Sequence, residues 1–311
     1  PTFRYVKKIF DEADIVIGNL ETLVSESLPL SKDMNLLQGK PYLNAPNEWL
    51  DALEYAGFDG LIMANNHACD GGKTGIIETL EELDRRGIPH TGLYRSKQEK
   101  RYFTMERNGI KIGILSYAAY YNLKDKFLTG EEQDTMLSRP IQNKMNADVQ
   151  ALRKEGAEYI IAYSHSGTEY SHVPAARQER YGAMLVQAGV DYIVGSHPHV
   201  LQPYEPLRYR DTVTPYIYSM GNFTSSMLGS ATKETLILSL TLERDESGEV
   251  VLAEQTYYPC YMLDEYEKEP FVLIPEDKDY NGSLYENAPK ALVNQLKDYF
   301  KHIRKIVGKL D

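Results

Sequence analysis

The feature that most constrains the fold is a recurring unit in which a short apolar run ends in polar residues and a helical pattern follows. The apolar runs cover residues 14–17, 60–64, 111–117, 159–163, 192–194 and 216–219. Near-continuous apolar runs of this length are typical of strands that are buried on both faces. Apolar residues recur at helical spacing in 46–55, 75–86, 143–155 and 174–188. This alternation predicts an α/β layered fold.

The pattern changes after residue 230. Residues 234–243 and 248–258 predict the two strands of a hairpin. The segment 264–287 is rich in acidic residues, tyrosine and proline, and we expect it to be irregular. Residues 288–307 carry apolar side chains at helical spacing and predict a terminal helix.

Length and composition indicate an ordinary globular protein. The chain has 311 residues, of which 42% are hydrophobic and 25% charged, so a disordered chain is excluded. This length allows one large domain or two ordinary ones. Because no convincing linker occurs, we predict one main domain over residues 1–260. The extension 261–311, with its terminal helix, is expected to pack on that domain.

Charge and cysteine content narrow the function classes. The net charge is −11 with no long basic run, so binding of nucleic acid through its phosphates is not expected. No run of 18 apolar residues occurs, and the start at Pro1 resembles a mature or trimmed chain rather than a signal peptide. Cys69 and Cys260 are too few for a disulfide scaffold or a cysteine-rich zinc module, although one disulfide between them stays open.

Residues of metal-ligand type follow five of the predicted strands. They are Glu21, Asn66 with His67, His165, His197 with His199, and Asn222. Open α/β folds place their sites outside the carboxyl ends of the strands, where these residues would meet. Each alone could be a turn or a capped loop residue. The strongest pair is His197 and His199, because Pro198 stiffens the segment that aims both imidazoles.

Five motifs with these residues resemble the capsule synthesis protein CapA family, the poly-γ-glutamate capsule proteins. The motifs are DIVIGNLET (14–22), the segment 57–92 with MANNHACDGG, SHSGTEY (164–170), AGVDYIVGSHPHVLQPYE (188–205) and PYIYSMGNF (215–223). Their order and spacing agree with the family over residues 10–230. The resemblance implies a calcineurin-like metallophosphoesterase fold, a four-layer αββα sandwich with two divalent metals above the strand ends.

The resemblance also implies a role for each ligand-type residue. Glu21 corresponds to the carboxylate that bridges two metals, and Asn66 to a ligand through its amide oxygen. His165 and His197 correspond to ligands of one metal, and His199 to a ligand of the other. Imidazole and carboxylate ligands without thiolates suit Mn, Fe or Zn. Two such cations held ~3.5–4 Å apart can activate water for attack on phosphorus.

The remaining candidate residues are expected to act on the reaction or around it. By resemblance, His67 protonates the leaving group or steadies the transition state. Asp70 is near enough in sequence to orient His67, although a helix N-cap is the favoured alternative for it. Glu169 and Glu205 are expected at the rim, against the alternative of solvated loop acids. The same motifs predict contacts to substrate or to the ligands for Asn19, Asn65 and Asn222.

Tyrosine is abundant near the predicted site. Tyr117, Tyr120, Tyr121, Tyr163 and Tyr170 fall in or beside the motifs. Ordinary packing is the favoured interpretation, and stacking on a sugar or peptide is the alternative.

Two departures from the family pattern bear on the site. The family begins with a strand that ends in a Gly-Asp motif whose Asp is a metal ligand. Residues 3–12 here resemble the helix after that strand, so we expect the sandwich to lack its first strand. Carboxylate support for the metal beside His199 is then reduced. Ser166 stands where the family often has Trp, which is expected to change the pocket wall.

The first hypothesis is therefore a metal-dependent hydrolase that acts on a phosphoester or a cell-envelope polymer. The alternative is a non-catalytic scaffold subunit of an envelope polymer assembly, with membrane subunits as partners. A weaker third hypothesis is a binding protein that uses metal only for its structure. By resemblance the protein lies outside the cytoplasmic membrane, at the cell surface or tethered through a segment not present in this chain.

Overall fold

The computed structural model describes residues 2–34, 36–37, 39–276 and 288–310. Its α-helices are α1 (Lys7–Asp11), α2 (Glu48–Ala56), α3 (Gly72–Arg86), α4 (Lys124–Phe127), α5 (Gly130–Met136), α6 (Gln142–Lys154), α7 (Ala176–Ala188) and α8 (Lys290–Val307). Its strands are β1 (Ile17–Asn19), β2 (Leu23–Val24), β3 (Leu36–Leu37), β4 (Lys40–Pro41), β5 (Asn44–Ala45), β6 (Gly60–Ile62), β7 (His90–Thr91), β8 (Phe103–Arg107), β9 (Ile110–Ala118), β10 (Tyr159–His165), β11 (Tyr192–Ser196), β12 (Leu201–Tyr204), β13 (Leu207–Tyr209), β14 (Thr212–Thr214), β15 (Tyr216–Met220), β16 (Glu234–Arg244), β17 (Val250–Tyr266) and β18 (Glu269–Pro275).

A six-stranded sheet in the order β12-β15-β11-β10-β9-β8 forms one inner layer. Strands β9, β10, β11 and β15 run parallel, and β8 and β12 join antiparallel at the edges. Alternate side chains point to opposite faces of a strand. The outer face carries Leu115, Ile160 and Ile193, which pack against Leu152 of α6 and Leu185 of α7. These two helices therefore cover the sheet and form the first outer layer.

Two three-stranded sheets form the second inner layer. One is parallel, in the order β1-β6-β7, and the other is antiparallel, in the order β16-β17-β18. In the first sheet Ile62 faces the six-stranded sheet and Leu61 faces α2 and α3. In the second sheet Tyr261 and Met262 divide between the same two cores. Both sheets therefore separate the same cores, and the predicted four-layer αββα order is confirmed.

The C-terminal part is more regular than its composition suggested. The hairpin is confirmed as β16 and β17, and the terminal helix as α8. The prediction of irregular structure is wrong for β18, because Val272, Leu273 and Ile274 are buried in the two cores. Residues 277–287 lie outside the described part of the chain. Residue 260 lies inside β17, and the predicted division there stays a prediction.

The structure also bears on the possible disulfide and on membrane-spanning helices. Cys69 and Cys260 are both buried and free, so the disulfide that stayed open does not form in this structure. Among the helices of the described residues, none has the length and apolar character needed to span a membrane.

An arginine clamp joins α2 to α3. Arg86 is only 11% exposed, and its guanidinium lies 2.6 Å from Asp51, 2.5 Å from Glu54 and 2.6 Å from Glu82. We expect Arg86→Met to lower the free energy of unfolding by about 1–2 kcal/mol, because the largely buried Glu82 loses one of its two arginine partners and the only link between α2 and this carboxylate in the described contacts is removed. Arg85→Met is the matched control. Its ion pair with Glu82 is solvent-exposed on the arginine side, so a change below about 0.5 kcal/mol is expected. Equal losses in urea unfolding would contradict the clamp.

Candidate functional site

Five loops that follow β1, β6, β10, β11 and β15 meet at one edge of the two inner layers. The structure brings together the predicted ligands Glu21, Asn66 and His165 there. His165 Nε2 lies 2.9 Å from Asn66 Oδ1 and 3.7 Å from Glu21 Oε1. Two ligand atoms that occupy adjacent positions on one cation, each at ~2.1 Å from it, lie about 3 Å from each other. The separation of His165 Nε2 and Asn66 Oδ1 is therefore suitable for two ligands of the same cation.

The histidines of the fourth motif lie beside this group. The ring centroid of His197 is 4.9 Å from that of His165 and 6.1 Å from that of His199. Both residues have positive φ, +102° for His197 and +60° for His199. Such conformations are costly for side chains other than glycine and are found most often at functional sites. The backbone is therefore bent so that both imidazoles face the same space.

His199 is held in a defined tautomer by Asn222. The Asn222 amide nitrogen donates to the carbonyl of Thr232 at 3.1 Å, which directs its Oδ1 towards the ring. His199 Nδ1 lies 2.8 Å from that Oδ1 and must donate to it. The lone pair of Nε2 is then free, as in histidines that bind metals with support from a hydrogen-bond acceptor.

Among the candidate metal ligands, two buried polar atoms make no hydrogen bond with the described residues. They are Glu21 Oε1 and His197 Nδ1. Buried polar atoms without a partner are rare and often mark the place of an ion. Within the described ranges, no three His, Cys, Asp or Glu side chains already converge as a complete metal site. Oxygen and imidazole donors nevertheless fit a divalent transition metal, provided that the side chains close around it.

Burial keeps His165 and His197 neutral. It lowers the pKa of His165 well below its ordinary value, and charge from His197 and His199 adds to the effect. The pKa of His197 is lowered to about 4, first by burial and then by nearby positive groups. Burial raises the pKa of Glu21, against the opposing effect of His199 and His67. Neutral imidazole is the form that binds a metal, so these two histidines are ready to act as ligands.

His67 and Asp70 form a buried pair in the loop between β6 and α3. His67 Nδ1 lies 2.7 Å from Asp70 Oδ2, which also accepts from the backbone nitrogen of Leu43 at 2.8 Å. The favoured N-cap interpretation of Asp70 is wrong: the N-cap of α3 is Gly71, without a side-chain cap. Burial alone would lower the pKa of His67, but the hydrogen bond to Asp70 raises it, and so do the negative charges of Asp70, Glu21 and Glu169.

Asn19 and Asn65 link the first two loops. Asn65 Nδ2 donates to the carbonyl of Leu20 at 2.8 Å and reaches Asn19 Oδ1 at 3.3 Å. Asn19 Nδ2 donates to Glu21 Oε2 at 2.9 Å, and the backbone nitrogen of His67 donates to Asn65 Oδ1. These amides hold Glu21 and His67 in position, and the predicted contacts of Asn19 and Asn65 to substrate stay a prediction.

The two predicted rim acids are placed differently. Glu169 is exposed, and its charge reaches Glu21 and His67. Glu205 is not brought to the group. Its backbone nitrogen bonds to the carbonyl of Tyr216, at the opposite end of β15 from Asn222. The four residue steps from Tyr216 to the end of β15 span about 13 Å. Glu205 therefore lies at the end of the strands opposite to the candidate ligands.

The tyrosines divide between packing and the site. Tyr117 and Tyr163 are buried, and Tyr121 is buried with its hydroxyl donating to the carbonyl of Ser138. Tyr120 and Tyr170 instead face the histidines, with centroids 5.2 Å from His197 and 6.1 Å from His199. The packing interpretation therefore describes three of the five.

Sequence reasoning missed one residue that orients a ligand. Ser196 Oγ lies 2.8 Å from His165 Nδ1, across the parallel pair β10 and β11. The register pairs His165 directly with Ser196, so the contact follows from strand pairing. The only signal in the sequence was a hydroxyl residue immediately before His197.

Gly195 is required where β11 approaches β15. A Cβ atom added at Gly195 would lie 2.0 Å from the carbonyl oxygen of Tyr218.

Gly195→Ala is expected to destabilise the fold by at least about 3 kcal/mol, because the backbone of β11 or β15 would have to move to make room for the added methyl group. Gly130→Ala is the control, since nothing lies within 4 Å of the added atom, and its change should stay within about 0.5 kcal/mol. Similar melting temperatures for the two variants would contradict the close approach.

Comparisons with known proteins agree with the motifs. The family described as "Bacterial capsule synthesis protein PGA_cap" matches residues 1–227. The "PGA biosynthesis protein CapA" of Bacillus subtilis (strain 168) is 29% identical over 248 residues, which cover 79% of this chain and 62% of that protein. The "Capsule biosynthesis protein CapA" of Bacillus anthracis is 28% identical, over 80% of this chain and 59% of that protein. The chain thus spans about 60% of the length of these relatives.

Solved structures give weaker matches. The calcineurin-like phosphoesterase YfkN from Bacillus subtilis has 16% identity and a TM-score of 0.45, and the match covers 82% of this chain and 74% of that one.

Proposed function

The chain belongs to the bacterial capsule synthesis protein family PGA_cap, and on that premise we propose that it is a metal-dependent hydrolase. Its substrate class is a phosphoester or a cell-envelope polymer. The observation that carries the proposal is the convergence of Glu21, Asn66, His165 and His197 on one space. Two of these side chains have a buried polar atom without a hydrogen-bond partner among the described residues.

The residues have distinct roles in this proposal. Glu21, Asn66, His165 and His197 would hold one divalent cation, and His199 with Glu21 a second, with Mn, Fe or Zn as candidates. Such cations supply a Lewis acid and an activated water at neutral pH. Ser196 and Asn222 orient the imidazoles of His165 and His199.

His67 is the candidate catalytic acid. Its Nδ1 is bound to the buried carboxylate of Asp70, so Nε2 is left to donate a proton to the leaving group. Asp70 is a positioning residue, because it fixes the ring and stabilises its charged form. Burial of the pair at 5% and 0% exposure excludes bulk water from this hydrogen bond.

The cellular setting is also a proposal. The printed names of the relatives concern biosynthesis of a capsule or of PGA. We infer that this chain acts outside the cytoplasmic membrane on an envelope polymer, together with membrane subunits.

Metal content and phosphodiester hydrolysis test the proposal together. The chain would be reconstituted with Mn, analysed for bound metal and assayed on bis(p-nitrophenyl) phosphate with and without Mn. We expect bound metal and Mn-dependent hydrolysis, both reduced in Glu21→Gln. Glu179→Gln, an exposed acid on α7, is the matched control and should behave as the unsubstituted chain. Hydrolysis that is independent of metal would contradict the proposal.

The alternative is a non-catalytic scaffold subunit of an envelope polymer assembly. It is favoured by the names of the relatives, which mention biosynthesis and no hydrolysis. The same experiment separates the two functions. Bound metal without turnover of any tested ester would support the scaffold, since the site would then serve only structure.

A further inference from the structure

Two histidines and a buried glutamate from distant parts of the chain lie together beside α8. His172 belongs to the loop between β10 and α7, Glu234 begins β16, and His302 lies on α8. The ring centroids of His172 and His302 are 6.4 Å apart, and their planes meet at 80°. In the described contacts neither ring touches a candidate metal ligand, so this group is separate from the candidate site.

The ring of His302 is held by Glu234. His302 Nδ1 lies 2.9 Å from each carboxylate oxygen of Glu234. The Glu234 side chain is only 3% exposed, and within the described residues no lysine or arginine forms an ion pair with it. A buried carboxylate needs a hydrogen-bond donor, so Nδ1 carries a proton and donates it to Glu234. The neutral ring then keeps its lone pair on Nε2, and the side chain is 50% exposed to solvent.

The ring of His172 is held in the same way by a backbone carbonyl. His172 Nδ1 lies 2.7 Å from the carbonyl oxygen of Leu201 and must donate to it, so the neutral ring keeps its lone pair on Nε2. Gln202 is fully buried and donates from Nε2 to the carbonyls of Ser171 and Val173, at 2.8 and 3.2 Å. The backbone on both sides of His172 is thereby fixed to β12.

Both histidines therefore have the arrangement that is typical of metal ligands. A metal-binding imidazole almost always donates its other ring nitrogen to a carboxylate or a backbone carbonyl, which fixes the tautomer and the direction of the ring. Two imidazoles that bind one cation at ~2.1 Å with a tetrahedral angle have centroids about 5 Å apart. A movement of the half-exposed His302 ring by about 1 Å would bring the pair close to this separation.

We propose that His172 and His302 bind one divalent transition cation through their Nε2 atoms, with Glu234 and the carbonyl of Leu201 as supporting acceptors. Imidazole ligands favour Zn²⁺, Cu²⁺ or Ni²⁺, whereas Mn²⁺ binds most weakly in this series. The site has two protein ligands and leaves the other positions to water. It therefore needs no third His, Cys, Asp or Glu side chain, and none converges with the pair in the described ranges.

The bound cation would join α8 to the loop that follows β10. This site is independent of the proposed function, because its residues take no part in the candidate metal centre. It also differs from that centre in its metal preference, since carboxylate and amide oxygens are absent from its ligands.

Calorimetric titration with zinc chloride tests the site in a chain that carries His197→Ala, in which the candidate metal centre is disabled. We expect zinc to bind, and added His172→Ala or His302→Ala to weaken this binding by more than about tenfold. Added Glu234→Gln should weaken it by about tenfold, since loss of a supporting acceptor costs 10–100-fold in metal affinity. Circular dichroism of the same samples checks that each variant is folded.

His90→Gln in the same background is the matched control. His90 Nδ1 also donates to a backbone carbonyl, that of Ile88, but no second histidine faces its ring in the described contacts. Zinc affinity should stay within about twofold, as for a distant and independent position.

Anomalous diffraction at the zinc edge, from crystals of the unsubstituted chain soaked with zinc, requires no variant to fold. We expect a peak between the rings of His172 and His302. The site is overturned if this peak is missing at saturating zinc, or if folded His302→Ala binds zinc as tightly as the His197→Ala background.

Discussion

Replacing His197 with alanine is expected to remove bound metal and to lower phosphodiester turnover by more than about 100-fold. Loss of a residue that only supports a ligand already costs 10–100-fold, so loss of a ligand should exceed that range. His197 is buried, its Nδ1 has no partner among the described residues, and its ring lies 4.9 Å from that of His165. Elemental analysis and steady-state kinetics measure both effects.

The control for this prediction is His90→Gln. His90 lies on β7, where its Nδ1 donates to the carbonyl of Ile88 at 2.9 Å, and it makes no contact with the site histidines within the described residues. The His90→Gln substitution should leave metal content and turnover unchanged. If His197→Ala kept its metal and its turnover, while circular dichroism showed a folded chain, His197 would not be a ligand.

The second large effect is expected at His67. His67→Ala should lower turnover by about 10²–10⁴-fold, the range of general acid–base catalysis, and leave bound metal unchanged. The reason is that His67 is tied to Asp70 rather than to the other histidines. Metal content and the rate constant kcat are the two measurements.

Asp70→Asn completes this test. It keeps the shape of the side chain but removes the charge that stabilises protonated His67, so a loss of about 10–100-fold in kcat is expected. Because Asp70 Oδ2 also accepts from Leu43, the melting temperature should be followed in the same samples. Loss of metal from His67→Ala would contradict the acid role and make His67 a ligand.

The sequence predicted the layered fold because its buried strands are apolar on both faces and its helices are amphipathic. Apolar residues such as Ile160 and Ile193 fill one core while their neighbours fill the other. Strand β18 was missed for the converse reason. Its apolar part is short and lies between acidic residues, so only the cores that surround Val272 and Leu273 reveal it.

The candidate site was predictable where residues follow the parallel strands. Strand pairing carries His165 to Ser196, and the bent segment after β11 aims His197 and His199 at one space. What the sequence could not provide was the direction of single side chains. The Asp70 side chain contacts His67 instead of capping α3. Strand β12 runs antiparallel to β15, so Glu205 at its end lies away from the candidate ligands.

Arg177 shows the same limit for charged residues. Nothing in the spacing of residues on α7 distinguishes Arg177 from Arg180. The tertiary structure stacks Arg177 on Tyr120, beside His197, whereas Arg180 stacks on its sequence neighbour Tyr181. A contact between residues distant in sequence therefore decides which of the two arginines lies beside the candidate site.

Anomalous X-ray diffraction from crystals of the chain grown or soaked with Mn tests the metal centre most directly. We expect anomalous peaks in the space bounded by Glu21, Asn66, His165 and His197, with a second peak beside His199. These side chains should move together around the peaks, because no described group of three is already closed. Peaks elsewhere, or none in this space at saturating Mn, would contradict the metal centre.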